Sequence, residues 1–393
     1  MKAAILLCLA FGAVLGQIPS PCNSPPQWEG REVRMDYSQK YEERRRLFYD
    51  QTNLRTRTIA EVEINSTREF YDVISLFKER KMYSLNMRTK TCNVTNIEPD
   101  RAFHYRGVHP DARFEGILSL GAAGFPGENI QVEVFSANET NDFYTGIVTS
   151  PGCIPVNNIH ISQKYGYEHS DYFDITVGIT DPQAFVPPTN FCDRSHVDMK
   201  TAVIFLSVVG AVFSQVPTPC ESPRQWQARE RVAEFGKNFE EYHKVYYDGS
   251  SGRERNIAEI EDGSDREFFD ILSLFNENKR YMINMKTRQC NVSSINRPFR
   301  HRGVPPNAQF TNAFTLGSVA LPGQGLSVQS FIANVTFGTF HEEYFGLVTS
   351  PGCVPINNYY YNPSEQTKSV VAYYDLTVGI SDPMIFVPPP ECM

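Results

Sequence analysis

Residues 172–192 read YFDITVGITDPQAFVPPTNFC. Phe173, Ile175, Val177 and Ile179 alternate with polar or small neighbours, a period of two that predicts a half-buried antiparallel strand. Asp181 precedes Pro182 and reads as the turn that ends the run. The string returns near the C-terminus as YYDLTVGISDPMIFVPPPEC, residues 373–392, where Asp375 and Asp382 repeat Asp174 and Asp181. The same alternation marks Ile130, Val132 and Val134, and Tyr83, Leu85 and Met87, the latter matched by Tyr281, Ile283 and Met285. Turns rich in Pro and Gly punctuate these runs: GFPGEN at 124–129, LPGQG at 321–325, and SPG at 150–152 and 350–352. The segment EFYDVISLFKE, Glu69–Glu79, fits a helix face at Phe70, Ile74 and Phe77. Its β-branched and aromatic content and the following KERK turn favour a hairpin with the Tyr83 strand. The class expected is all-β.

The recurrence fixes the domain count. Cys220 follows Cys22 and Cys290 follows Cys92 by 198 positions, while Cys353 follows Cys153 and Cys392 follows Cys192 by 200. QWEGREV recurs as QWQARERV, NMRTKTCNV as NMKTRQCNV and VTSPGCIPVNN as VTSPGCVPINN. A period this long means tandem globular domains, since solenoids repeat every few tens of residues. Each unit, at roughly 175 residues, is long enough to bury its own core. Both begin with a secretory leader: MKAAILLCLAFGAVLGQIPSPC at the start, and MKTAVIFLSVVGAVFSQVPTPC from Met199 to Cys220. Lys after Met, an apolar run and a small residue before Gln form the layout of a signal peptide. The division expected is a signal peptide at 1–16, a first domain at 17–198, a leader-like segment at 199–214 and a second domain at 215–393. Met199 either begins a separate polypeptide through a merged gene model or fused cDNA, or the chain is cut after Ser214, or the segment persists as a linker. The apolar stretch Ala202–Phe213 is too short to cross about 30 Å of hydrocarbon at 1.5 Å per residue. Left uncut, it would expose an apolar patch that soluble proteins rarely tolerate.

Once Cys8 leaves with the leader, four cysteines remain per unit, an even number that with a signal peptide reads as two disulfides. No CxxC pair occurs, so zinc and redox readings lack their motif. Glycosylation sequons stand at Asn65, Asn93 and Asn138, and at Asn291 and Asn334. Asn93 matches Asn291 after a matched Cys, and Asn138 matches Asn334. Secretion and N-glycosylation are the expectation. The formal net charge of −8 opposes a nucleic-acid partner, which needs a basic face. The basic run KYEERRRLF, Lys40–Phe48, has no basic counterpart in FEEYHKVYY, Phe239–Tyr247, and reads as a solvated face.

Little chemistry stands out. GxGxxG, P-loop, HExxH and GxSxG patterns are all absent. His104 falls opposite Arg300, His160 opposite Tyr360, His301 opposite Tyr105, His243 opposite Arg45 and His341 near Asn141; no histidine recurs in both copies. A shared acid–base mechanism built on histidine has no support. Cys153 reads as a half-cystine rather than a nucleophile. The recurring carboxylates Asp174 with Asp375 and Asp181 with Asp382 allow calcium binding or glycosidase-type work. Turn and strand-end roles are the plainer account, most of all for the two that precede Pro.

PQWEGR after the first Cys, the TKTC strand end, RFEGILSLG, TSPGCIPVN and above all YFDITVGITDPQAFVPPTNFC resemble the ependymin-related family, over Cys22–Cys192 and again over Cys220–Cys392. The resemblance implies secreted, glycosylated, calcium-responsive proteins that dimerise. It also implies two stacked, curved antiparallel sheets enclosing an apolar pocket, as in bacterial lipoprotein carriers. By position it pairs Cys22 with Cys153, Cys92 with Cys192, Cys220 with Cys353 and Cys290 with Cys392; spacing alone leaves three pairings per unit open. A third bridge of vertebrate relatives would begin near Thr67, or Asp265 in the second unit, and both of its partners are missing here. Each bridge is worth roughly 2–4 kcal/mol.

The function expected is carriage of a hydrophobic small molecule or lipid in the extracellular space or an acidic organelle. The candidate lining is Tyr83, Leu85, Met87, Ile130, Val132, Val134, Phe173, Ile175 and Val177. On the residues alone, packing against one another accounts for these nine as well as a cavity does; the resemblance favours the cavity. No cofactor is required, calcium is the one ion brought in, the partner expected is a second copy, and membrane contact is expected only through lipid exchange. The alternative is a calcium-dependent matrix or adhesion glycoprotein that carries no ligand. Hydrolysis has no motif behind it. A denaturing mass spectrum of the secreted, deglycosylated product tests the internal leader: two species near half the full mass mean a separate or cleaved second unit, and one near the full mass means a true tandem chain.

Overall fold

The computed structural model describes residues 18–36, 41–64, 67–139, 142–162, 166–188, 192, 216–235, 239–263, 265–337 and 340–392. Both leaders, Ser214 and Asn65 lie outside them. Among the described residues the first unit has eleven strands. Six form its N-terminal half: β1 (Gln27–Asp36), β2 (Tyr41–Asp50), β3 (Arg55–Ile64), β4 (Thr67–Leu76), β5 (Lys81–Asn86) and β6 (Thr91–Asn96). Five form its C-terminal half: β7 (Arg113–Ala123), β8 (Asn129–Glu139), β9 (Asp142–Thr149), β10 (Pro155–Ser162) and β11 (Gly166–Val177). The second unit repeats them as β12 (Gln225–Phe235), β13 (Phe239–Asp248), β14 (Arg253–Asp262), β15 (Asp265–Leu274), β16 (Lys279–Asn284), β17 (Cys290–Ser294), β18 (Gln309–Gly317), β19 (Gly325–Phe337), β20 (Phe340–Thr349), β21 (Pro355–Asn362) and β22 (Thr367–Val378).

Each half is an antiparallel meander, and the first and last strands of a unit join the halves: β1 pairs with β11 and β12 with β22. The Glu69–Glu79 ambiguity resolves as a hairpin, with Ile74 opposite Tyr83 and Leu76 opposite Lys81. Both SPG turns carry a cis proline bond, at Ser150–Pro151 and Ser350–Pro351.

Within a unit, Trp28, Leu47, Tyr49, Phe103, Ile154, Tyr172 and Ile175 pack as one buried cluster, matched by Trp226, Ala228, Val245, Tyr247, Val354, Tyr373 and Leu376. Each Trp donates its indole N–H to a serine four residues before it, Ser24 at 3.1 Å and Ser222 at 3.2 Å, because a buried indole needs a partner. The DPQAFVPP segment folds back over the outside of β2–β4. Ala184 and Phe185 pack on Phe48 there, and Arg57 ties Asp72 to the Ala184 carbonyl.

Beside the aromatic core lies a buried polar network. Arg45 grips Glu32 with two hydrogen bonds of 2.9 and 2.7 Å, and Arg106 donates to the Tyr172 hydroxyl at 3.1 Å. Burial alone would push the Glu32 carboxyl up; Arg45 and Arg106 outweigh it and hold the pKa down at about 2. The basic run is therefore not simply a solvated face. Arg44 and Arg46 are half exposed, but Arg45 is 11% exposed and is the counter-ion of a buried carboxylate. The second unit keeps the carboxylate as Glu230, held by Arg302 at 3.1 Å, and puts His243 where Arg45 stands. Burial pushes the His243 imidazole down, and Glu230 and Glu241 more than reverse that, to about 9.

A histidine raised from 6.5 to about 9 stabilises the fold fully below pH 6.5, and that contribution fades as pH rises through about 9, with a ceiling of about 3 kcal/mol. Thermal melts between pH 6 and 10 should show the second unit losing stability over this window, and His243→Arg should abolish the loss.

Candidate functional site

Asp174 and Asp375 hold left-handed backbone, with φ of 53° and 52°, a region that Asp enters more readily than most side chains. Each sits where the register of its strand slips by one residue: Arg31 faces Phe173, yet Glu29 faces Thr176, and Arg229 faces Tyr374, yet Gln227 faces Thr377. The extra residue is a β-bulge, and it re-phases the strand. Tyr172 and Ile175 both enter their own unit's core, while Phe173 turns outward and meets Phe314 of the second unit, ring centroids 4.4 Å apart. In β22, likewise, Leu376 joins its own core and Tyr374 turns to the first unit.

Each bulged aspartate also clamps the sister unit. Asp174 Oδ1 accepts the Thr315 amide at 2.8 Å, and its Oδ2 accepts Arg31 Nε at 2.6 Å. Reciprocally, Asp375 accepts the Ser119 amide at 2.8 Å and Arg229 Nε at 2.6 Å. Thr149 meets Gln324 at 2.8 Å and Thr349 meets Glu128 at 2.9 Å in the same crossed fashion. Of the recurring carboxylates, Asp174 and Asp375 are each engaged by an arginine of their own unit and a backbone N–H of the sister unit. Asp181 and Asp382 cap turns, accepting the amides of Gln183 at 2.8 Å and Met384 at 2.9 Å. Among the described residues, no three His, Cys, Asp or Glu side chains converge as a metal site.

Between the clamps, the C-terminal halves of the two units share one apolar core. Leu120, Ile130, Val132 and Val156 pack with Leu316, Leu326, Val328, Leu347 and Ile356. Adjoining it is a cavity of about 630 Å³ walled by both units. Phe143, Ile147, Ile159 and Ile161 line one side; Leu347, Ile356, Val370 and Ala372 line the other. Its polar groups are unequal. The first unit contributes Thr145, Asn157, His169 and Asp171, and the second contributes Arg231, Glu234, Glu240, Asn357, Gln366 and Lys368. Arg231 bonds Glu240 at 2.6 Å. A second cavity of about 560 Å³ lies wholly in the second unit, beside the Asn334 sequon.

The nine candidate lining residues line neither cavity. Ile130 and Val132 fill the shared core, with Phe173 packed against it, and Ile175 lies in its own unit's core. Leu85 is buried, Tyr83 and Val134 are half-buried, and Met87 and Val177 are exposed. Four of the nine are taken up by packing, Ile130, Val132 and Phe173 between the units and Ile175 within its own. One cavity lies between the units and another within the second unit. His169 and Asp171, which periodicity did not single out, are among the polar groups of the cavity between the units. A polar pair on a strand whose sister copy reads Val370 and Ala372 was the available signal.

The structure joins Cys22 to Cys153, Cys92 to Cys192, Cys220 to Cys353 and Cys290 to Cys392. Asn93, Asn138, Asn291 and Asn334 are exposed on strands. No helix among the described residues is long and apolar enough to cross a membrane.

The sequence pattern of the ependymin family matches residues 65–192 and again 263–392. The chain belongs to the ependymin family. Mammalian ependymin-related protein 1 of Mus musculus is 30% identical over 189 residues, spanning 47% of this chain and 82% of that protein. Ependymin of Notemigonus crysoleucas is 25% identical over 200 residues, spanning 49% of this chain and 91% of that one. Each relative thus corresponds to about one unit, and this ependymin chain carries two. Among solved structures, an uncharacterized conserved protein from Thermus thermophilus is 11% identical over 43% of this chain and 89% of that one, with a TM-score of 0.28, too low to carry an argument.

Hydrogen bonds to a charged group are worth about 1.5–3 kcal/mol, and partial exposure of the Asp174–Arg31 pair reduces that to roughly 1–2 kcal/mol per clamp. The Asp174→Ala/Asp375→Ala double variant should melt several degrees lower, at about 2–4 °C per kcal/mol. Asp174→Asn should cost less than Asp174→Ala, because Asn keeps an acceptor and tolerates left-handed backbone. Calorimetry on the set checks this order.

Proposed function

We propose that the chain is a secreted glycoprotein that binds one hydrophobic guest, a lipid or lipid-like small molecule, in the cavity between its two units. The observation that carries the reading is that cavity: about 630 Å³, with aliphatic and aromatic side chains from both units around a few polar groups. Cavities of roughly 300–1,000 Å³ at domain interfaces are where small ligands bind. Ten buried methylenes supply roughly 8 kcal/mol gross, from which the cost of association takes several. Secretion and glycosylation rest on the leaders, on four bridges that suit an oxidising compartment and on the exposed sequons.

Pairing of the sister units takes up the shared apolar face, and the second copy expected as a partner would dock elsewhere. No catalytic role is assigned, and contact with membranes is limited to exchange of the guest.

Titrating the full chain with N-phenyl-1-naphthylamine, an uncharged fluorophore that brightens in apolar sites, should give saturable binding of one equivalent per chain. Thr145→Trp, which fills the cavity from β9, should weaken binding roughly tenfold, about 1.4 kcal/mol, without lowering the melting temperature. Two equivalents per chain, or indifference to Thr145→Trp, would place the guest elsewhere.

A further inference from the structure

The cavity's two walls are equivalent in fold but not in chemistry. In the first unit Asn157 pairs across strands with Asp171 and Ile159 with His169; in the second, Asn357 pairs with Ala372 and Tyr359 with Val370. His169 and Asp171 therefore stand where the sister unit has Val370 and Ala372, and all four line the cavity. One wall is polar at that point and the other is not.

His169 is 4% exposed. Its Nε2 lies 2.5 Å from Asn157 Nδ2 and 3.3 Å from Asp171 Oδ1, and Asn157 Nδ2 donates to Asp171 Oδ1 at 2.7 Å. The Tyr359 ring of the sister unit lies against the imidazole, centroids 6.3 Å apart. Nδ1 is buried and has no hydrogen-bond partner. A buried polar atom left without a partner costs about 1–3 kcal/mol, and native folds leave few such atoms.

We infer that the guest is an uncharged, hydroxyl-bearing amphiphile, a long-chain alcohol or monoacylglycerol, whose hydroxyl bonds the His169 ring while its chain lies against Ile356, Val370 and Ala372 of the lining. This rests on the proposed cavity binding and specifies its ligand class. When Nε2 carries the ring proton it donates to Asp171, and Nδ1 is left as an acceptor; when Nε2 accepts from Asn157, Nδ1 is left as a donor. A hydroxyl serves either state. A free carboxylate does not fit as well, because Asp171, Glu234 and Glu240 already outnumber Arg231 and Lys368 in the lining, and like charges repel strongly where water is scarce. The unequal walls also give the guest one orientation.

The test is displacement of N-phenyl-1-naphthylamine from the full chain at pH 8 by decan-1-ol and by decanoate, in wild type, His169→Phe and His169→Val. The second variant installs the side chain that the sister unit already carries at this position. Decan-1-ol should displace the fluorophore at roughly tenfold lower concentration than decanoate, and both variants should bind the fluorophore normally while losing about tenfold in alcohol affinity. Equal affinity for the two ligands, or unchanged alcohol binding in both variants, would overturn this inference and leave the apolar cavity standing. Failure of the wild type to bind the fluorophore or either ligand would overturn both.

Discussion

One aspartate per unit, held in left-handed backbone near the end of the last long strand, sets how the two halves of this protein meet. The bulge at Asp174 breaks the two-residue rhythm of β11, so Ile175 goes to its own core and Phe173 to the partner unit. The freed carboxylate then accepts a backbone amide of the sister unit, and Asp375 does the same in return. These contacts are partly exposed and individually modest. The shared apolar core between β7–β10 and β18–β21 supplies more of the binding energy. The aspartates choose the register in which that core forms.

The cavity follows from the same arrangement. Two sheet faces packed at their centre leave unfilled space where facing side chains are short or polar, as at Ala372, Thr145 and Asn157. Neither unit has this cavity by itself, since each supplies only one wall.

The units are copies in architecture and differ at a few buried positions with large electrostatic consequences. Arg45, charged at any physiological pH, becomes His243, whose charge depends on its carboxylate neighbours. His169 and Asp171 become Val370 and Ala372, so the two cavity walls differ at these paired positions. Arg106 and Arg302 stay, each bonded at 3.1 Å to a buried tyrosine hydroxyl, Tyr172 or Tyr373.

Much of this was legible in the order of residues. Alternation at Tyr83–Met87 and Ile130–Val134, together with Pro- and Gly-rich turns, specified antiparallel strands, because side chains on a pleated strand alternate by covalent geometry. The recurrence of YFDITVGITDP as YYDLTVGISDP specified two units of one fold. Periodicity reports only that a face is buried, not what covers it. Phe173 and Ile175 have the same parity and the same apolar character, yet a single left-handed residue between them sends them to different cores. Arg45 sits in a run of three arginines and is the one turned inward, because β2 happens to place it opposite Glu32. The sequence by itself determined the strands, the turns and the duplication, all of which rest on local geometry and composition. The shared core, the Asp174 and Asp375 clamps and the cavity with His169 on its wall were decided only by tertiary structure, because each depends on groups more than a hundred residues apart meeting across two curved sheets.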